Sequence, residues 1–423
     1  MYLLTTRRFL PLFVTQFLGA FNDNLFKNAL VMLIAFKLSG EAAEHVSLMV
    51  IIAGALFILP YFLFSATAGQ FADKIDRAKM ARYTKLWEIL IVLVGAVGFV
   101  GHHPIFLLIV LFALGVQATF FGPIKYALLP QHLREDELLT GNAYIEAATF
   151  LAILLGTIAG GVLIMHNQGE YYIVASSFVV AVLGYIASRY IPQAAPPSPT
   201  LKVDYNIFKA TWHIVQHDRK TPRVFRCILA ISWFWLVGAV FLSQFPALVK
   251  EFIGGSESLV TLFLAIFSVG IGFGSFLSSA LTKGVISSRY VAPAALAMGL
   301  FAADLAWVLM GVSPSELPIG VADYFTHVAH IRIIADLFLL AVAGGIFIVP
   351  LYAIMQHDSA PESRARTIAT NNVINALFMV LSAVATIGLF AAGFTMPHLF
   401  ASLAVGNLLV GFYIRRLKTT QPS

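Results

Sequence analysis

Apolar runs of about 20 residues recur along the whole chain, and no other feature constrains its fold as strongly. That length is what a helix needs to cross the hydrocarbon core of a bilayer. Twelve runs can be placed: 9–37, 46–71, 80–101, 104–128, 139–165, 171–190, 223–249, 258–281, 289–311, 331–355, 366–392 and 395–415. Lipid offers backbone N–H and C=O groups no water, so only helices and closed barrels can span it. A barrel would alternate apolar and polar residues in short segments, whereas these runs are continuous. Only 11% of residues are charged and mean hydropathy is +0.85, against about 25% charged in a soluble domain. The class is a polytopic α-helical membrane protein.

The distribution of Lys and Arg orients it. With the N-terminus in the cytoplasm, 21 of the 27 fall on the inner side, in loops, tails and nearby span ends. Lys37, Lys250 and Arg332 fall outside, and Lys27, Lys125 and Arg226 lie within spans. Such a bias places both termini in the cytoplasm. The net charge of +6 is therefore a topology signal, and no nucleic-acid partner is expected. Arg7 and Arg8 precede an apolar run too long for a signal peptide. The single cysteine, Cys227, excludes an internal disulfide.

One long polar segment, 191–222, interrupts the pattern. It begins Pro-rich (IPQAAPPSP), which favours an extended or disordered start. Asn206 then offers an N-cap. Ile207, Phe208, Thr211, Trp212 and Val215 follow at helical spacing, reading as a short amphipathic helix on the inner membrane surface. The segment separates six spans from six, giving bundles at 1–190 and 223–423. The halves also resemble each other. PIKYALLPQH (123–132) leads to TGN (140–142), and PLYAIMQH (350–357) leads to ATNN (369–372). Two parallel six-span repeats predict a twelve-helix transporter of two pseudosymmetric bundles.

The loop GQFADKIDRAK (69–79) resembles the loop signature of the major facilitator superfamily, with Gly69, Asp73, Arg77 and Lys79 in place. The resemblance implies a glycine for close helix approach and an Asp/Arg clamp that gates conformation. A degenerate version surrounds Gly274, Ser278, Lys283 and Gly284. Residues 7–36, GPIKYALLPQH (122–132) and ISWFWLVGAVFLSQFP (231–246) are similar to the lysophospholipid transporter family. They are most like its bacterial branch, often fused to an acyltransferase and an acyl-carrier-protein ligase. That resemblance implies a flippase carrying lysophospholipid, chiefly lysophosphatidylethanolamine, from the outer to the inner leaflet of the bacterial inner membrane by alternating access. With the chain ending at Ser423, a separate acyltransferase is expected to act on the product. The other expected partner is membrane lipid; no cofactor is expected, and the chain is read as a monomer.

The candidate site begins in GAFNDNLFKN (19–28), inside the first span. A carboxylate near midmembrane costs about 2.5–3.5 kcal/mol on insertion scales, so Asp23 needs an offsetting interaction. Lys27 lies four residues on, on the same helical face, and can pair with it. Asn22, Asn24 and Asn28 complete a polar stripe that faces either a helix neighbour or a substrate or coupling ion. Arg226, in the seventh span, presents a planar fork suited to phosphate or snorkels to the interface; the family resemblance favours the phosphate role. Lys125 and Tyr126 follow a helix-kinking Pro123, and Lys125 can meet phosphate, pair with Glu146, or snorkel. Asn142 and Gln117 are secondary candidates. Asp304 looks isolated in apolar sequence, and Arg332 is spaced to pair with Asp336.

Gly156, Gly160 and Gly161 form a small-residue surface suited to close helix packing. Seven histidines fall on the outer side: His45, His102, His103, His166, His327, His330 and His398. His327 and His330 have the spacing of a metal pair without a third ligand. No nucleophile triad, P-loop or dinucleotide fingerprint appears, and no enzymatic activity is expected. Two other functions compete: a proton-coupled exporter of a siderophore or drug-like molecule, and a non-transporting scaffold or sensor.

Overall fold

The computed structural model describes residues 2–37, 43–312, 315, 319–326 and 328–417, without the side chains at 36–48. His327 and Lys418, and the side chains of Lys37 and His45, lie outside the described residues. The described chain contains fourteen α-helices: α1 (Leu10–Met32), α2 (Ala43–Lys74), α3 (Arg77–Val100), α4 (Pro104–His132), α5 (Glu135–Met165), α6 (Gly169–Arg189), α7 (Ile207–Arg219), α8 (Pro222–Ala247), α9 (Glu257–Leu281), α10 (Val291–Met310), α11 (Val321–Tyr324), α12 (Val328–Asp358), α13 (Arg364–Ala391) and α14 (Met396–Ile414), with π-helical turns continuing α1 over Leu33–Lys37 and α8 over Leu248–Ile253. Eleven are long and apolar enough to cross a membrane. With 23 residues, α1 is long enough as well, but its polar stripe lowers its hydropathy. Counting it, the spans number twelve.

Polarity is distributed as lipid demands. Large apolar side chains face outward, including Val97, Ile105, Leu300, Trp307 and Leu409, while Asp73, Lys85, Glu88, Asn142 and Glu146 are buried. The short α7 and α11 are connectors. Asn206 caps α7, its side chain accepting from the Lys209 amide at 3.0 Å. On α7, Ala210 and Ile214 pack against Ala66 and Ala369, while Phe208 and Trp212 stay exposed.

Two compact units emerge. The first holds Met1–Glu135, Leu151–Pro222 and Gln356–Ala376; the second holds Asp136–Phe150, Arg223–Met355 and Leu377–Ser423. In the first unit α1 packs tightly on the later half of α5. A Cβ at Gly156 would stand 2.4 Å from the Phe21 carbonyl oxygen, and one at Gly160 equally close to that of Leu25. Only glycine permits that approach. In the second unit Phe241, Phe245, Phe263, Phe267 and Phe400 form a buried aromatic core. Beside it Trp235 stacks on Phe150 and donates Nε1–H to the Tyr352 hydroxyl at 3.1 Å.

The Pro-rich stretch after α6 is extended and pinned at many points. Arg82 Nη2 donates to the Ile191 carbonyl at 3.2 Å, and Gln131 Nε2 to that of Ala195 at 3.2 Å. The Ala194 amide donates to Asp76 Oδ2 at 3.0 Å, and the Ser198 amide to the Asp73 carbonyl at 2.9 Å. Of the two conformations that proline richness allowed, these bonds select the extended one.

Candidate functional site: a buried polar cluster in the first unit

The polar stripe of α1 divides into amides that hold the helix and charges that do not pair with each other. Asn22 donates Nδ2–H to Glu88 Oε1 at 2.9 Å, joining α1 to α3. Asn24 donates to its own helix at the Ala20 carbonyl, 2.8 Å away, and Asn28 to the Thr157 carbonyl of α5 at 2.7 Å. Both amides are thus engaged by helix backbone. Asp23 differs. Its Oδ1 is buried without a hydrogen-bond partner among the described residues. Nor, among those residues, does Lys27 close an ion pair with it. Lys27 Nζ lies instead 5.6 Å from the centroid of the Phe57 ring, a cation–π contact. The i, i+4 spacing permits a pair that the side chains do not form.

The charges surrounding Asp23 come from three helices: Lys27, Lys85, Glu88 and Lys125. Lys85 and Glu88, on α3, are the members of this cluster that sequence reasoning missed. Lys85 reads as one more inner-side basic residue near the 74–82 loop. In the structure it lies more than two turns inside α3 and is 1% exposed, as is Glu88. Lys85 Nζ donates to Glu88 Oε2 at 2.5 Å. It stands 5.3 Å from the Phe121 ring centroid and is flanked by Gly19 and Gly184. Gln117, buried on α4, donates Nε2–H to the Thr84 carbonyl at 3.1 Å and to Glu88 Oε2 at 3.3 Å. The available signal was the Lys85/Glu88 i, i+3 spacing inside an otherwise apolar run.

The remaining candidates take different places. Lys125 Nζ lies 4.7 Å from the ring centroid of its neighbour Tyr126, which is buried. Glu146 and Asn142 are fully buried residues of the second unit. Arg226, also of the second unit, donates Nη1–H to the Arg416 carbonyl beyond the end of α14, at 3.1 Å. Asp304 is not isolated: the Arg332 guanidinium forks onto both its oxygens, with Nε at 2.8 Å from Oδ2 and Nη2 on Oδ1. Arg332 thus reaches across to α10, and the pairing with Asp336 expected from spacing gives way to this bidentate geometry, which a planar fork favours. His330 stacks on Tyr324 with ring centroids 4.3 Å apart. Among the described residues no three His, Cys, Asp or Glu side chains converge as metal ligands.

The 69–79 segment forms a second buried ionic cluster. Arg77 Nη2 meets Asp73 Oδ1 at 2.8 Å, with both side chains at most 1% exposed. Arg77 also donates to the carbonyls of Ala72 (3.0 Å) and Ala127 (3.3 Å). Asp73 accepts from the Ala365 and Arg366 amides at 3.1 and 3.3 Å, and from Arg366 Nε at 3.0 Å. It therefore ties the end of α2 to the start of α13. A Cβ on Gly69 would stand 2.7 Å from Ala369 Cβ and 2.9 Å from the Ala365 carbonyl oxygen, so glycine is what lets these helices touch. Lys79 contributes through its backbone, donating to the capping Asp76 Oδ1 at 2.9 Å.

The family model of the Major Facilitator Superfamily matches residues 12–383. This chain belongs to that superfamily. Its fold is accordingly the twelve-helix major facilitator fold of two six-helix bundles, as the repeat implied. Among solved members it is similar to the proton:xylose symporter XylE, with a TM-score of 0.74, 12% identity, and 98% of this chain and 96% of that one covered. It is similar also to the E. coli fucose:proton symporter FucP, with a TM-score of 0.73, 13% identity, and 97% and 98% covered. At those identities the likeness is one of fold. In sequence it is similar to the lysophospholipid transporter LplT of Citrobacter koseri, 26% identical over 374 residues, covering 85% of this chain and 81% of that protein. The LplT of Klebsiella pneumoniae strain 342 is 27% identical over 391 residues, covering 89% and 87%. Family and fold are those of major facilitator transporters, and the chain is a multi-pass membrane protein.

Proposed function

We propose that this transporter is a lysophospholipid flippase, moving chiefly lysophosphatidylethanolamine from the outer to the inner leaflet of the bacterial inner membrane. The observation that carries the reading is the mixed charge around Asp23. Three lysines and two carboxylates, with all five ionised, leave one positive charge in a membrane interior. A zwitterionic headgroup answers both signs: its phosphate balances Lys125, Lys27 or Lys85, and its ammonium meets the unpartnered Asp23 oxygen. Asn22 and Glu88 hold the frame. Tyr126 and Glu146 complete the candidate set. Arg226 belongs to it only if it leaves the Arg416 carbonyl during transport. The relatives named lysophospholipid transporters support the substrate class.

In this reading the bundles are 1–190 and 223–423, joined by 191–222, with both termini cytoplasmic. Rocking of the bundles alternates access. Gly69, Asp73, Arg77 and Lys79 act as the gate: the Asp73–Arg366 contact must break whenever the start of α13 leaves the end of α2. The protein works as a monomer. The test is reconstitution into liposomes with labelled lysophosphatidylethanolamine confined to one leaflet. Protein-dependent transfer supports the proposal. Transfer of soluble siderophores or drugs driven by a proton gradient, with no lipid movement, would replace it with the exporter.

A further inference from the structure

Outside the central cluster, the first unit contains a polar cavity of about 400 Å3 where α2, the strap after α6, α7 and the start of α13 meet. Its walls are built by hydrogen bonds. Gln70 exchanges two with the Asp204 backbone, receiving at Oε1 (2.8 Å) and donating from Nε2 (3.3 Å). Ser198 Oγ donates to the Glu362 carbonyl at 3.0 Å. Walls held this way are preformed, and the volume suits a small ligand.

Charged and titratable groups of both kinds line it: Asp218 and Asp204 against Lys202, Arg366, His213 and His217. Asp218, on α7, is 4% exposed. One of its oxygens accepts from Thr367 Oγ1 at 2.8 Å; the other is buried without a hydrogen-bond partner among the described residues. Burial pushes its carboxyl above the ordinary range. Lys202, His213 and His217 line the same cavity and are solvent-exposed. Arg366 also lines it, but its Nε is held by Asp73 and its Nη2 by the Glu362 carbonyl. A bare cation answers the carboxylates and leaves the basic groups unmatched. A bare anion drawn to those groups faces a buried carboxylate. A zwitterion satisfies both.

We infer that this cavity binds an aminoalkyl phosphate, its ammonium on Asp218 and its phosphate on Lys202 and the imidazoles of His213 and His217. The inference deepens the proposed function, on which it rests only for a lipid as the source of that group; the ligand class follows from the cavity. Lying beside the Asp73–Arg366 contact, an occupied cavity is placed to influence that contact.

The test titrates purified full-length protein in maltoside micelles with O-phosphoethanolamine, followed by calorimetry. Saturable binding is expected, weakened at least tenfold in Asp218→Asn. Ethylamine or methyl phosphate, each carrying one of the two charges, should bind at least tenfold more weakly than the zwitterion. Leu201→Trp, which fills the cavity without removing a charge, provides a second variant should Asp218→Asn fail to fold. Absence of binding in the wild type, or wild-type affinity in both cavity variants, overturns the inference. Lysophosphatidylethanolamine binding at least tenfold tighter than the free headgroup identifies a lipid source; equal affinity identifies the soluble one. Flipping in liposomes is a separate readout, so Asp218-dependent binding without flipping sinks the proposed function and leaves the cavity site standing.

Discussion

Lys85→Met should destabilise the protein by about 3–5 kcal/mol, the range for removing one partner of a buried ion pair. The estimate follows from the surroundings. Lys85 and Glu88 are each 1% exposed and 2.5 Å apart, so solvent screens neither. Methionine keeps most of the stem volume beside Gly19 and Gly184, so the loss is the charge rather than packing. Glu88 would retain the amide donors of Asn22 and Gln117 but no cation. Glu88→Gln alone strands the ammonium instead. The double variant removes both charges and should recover much of the loss, since exchange of a whole buried pair is often close to neutral. Equilibrium unfolding in mixed micelles, run as a double-mutant cycle, gives the coupling, expected at about 2–3 kcal/mol. A Lys85→Met variant within about 0.5 kcal/mol of wild type, or additive single variants, would refute the claim that the pair is desolvated and mutually dependent.

Other consequences are measurable with the same preparations. Gly160→Leu should cost about 1–3 kcal/mol or more, because its Cβ meets the Leu25 carbonyl oxygen at 2.4 Å; unfolding of the variant at wild-type denaturant midpoint would contradict that packing. Arg332→Ala should leave the denaturant midpoint close to that of wild type, since Arg332 and Asp304 are 50% and 32% exposed; a clearly lowered midpoint would contradict it. In ligand-free protein, burial raises the folded-state pKa of Asp218 above its unfolded value. Its contribution is therefore complete below the ordinary carboxylate value of about 4 and is lost as pH rises through the folded value. Thermal scans should show wild type losing ground to Asp218→Asn as pH increases, and a gap independent of pH would contradict it. Asp73→Asn weakens contacts to both Arg77 and Arg366 and should change flipping rate while leaving lysolipid affinity within about threefold; unchanged rate would remove Asp73 from the gate.

How much was readable before the structure depends on whether the signal is local. Span lengths, the Asn206 cap and the packing face of Gly156 and Gly160 are set by neighbours along one helix, and each appears where the spacing places it. Ionic partners across helices are another matter. Arg332 has Asp336 four residues away, yet pairs with Asp304, 28 residues distant, because tertiary packing brings a better fork geometry. Lys85 resembles a topology signal because it follows a basic loop; only the fold shows α1, α4 and α6 closing around it. Asp23 and Lys27 illustrate the reverse case, in which a spacing that permits a pair is overruled by a ring, Phe57, lying beside the ammonium. Periodicity reveals which residues share a face but not what that face meets.

The central claim is that Asp23 receives a lipid headgroup. The most direct measurement is the initial rate at which reconstituted protein transfers labelled lysophosphatidylethanolamine between leaflets, comparing wild type with Asp23→Ala. A loss of at least tenfold is predicted, about 1.4 kcal/mol of activation free energy, with the variant still folded and correctly inserted. Transfer by Asp23→Ala at the wild-type rate would contradict the account.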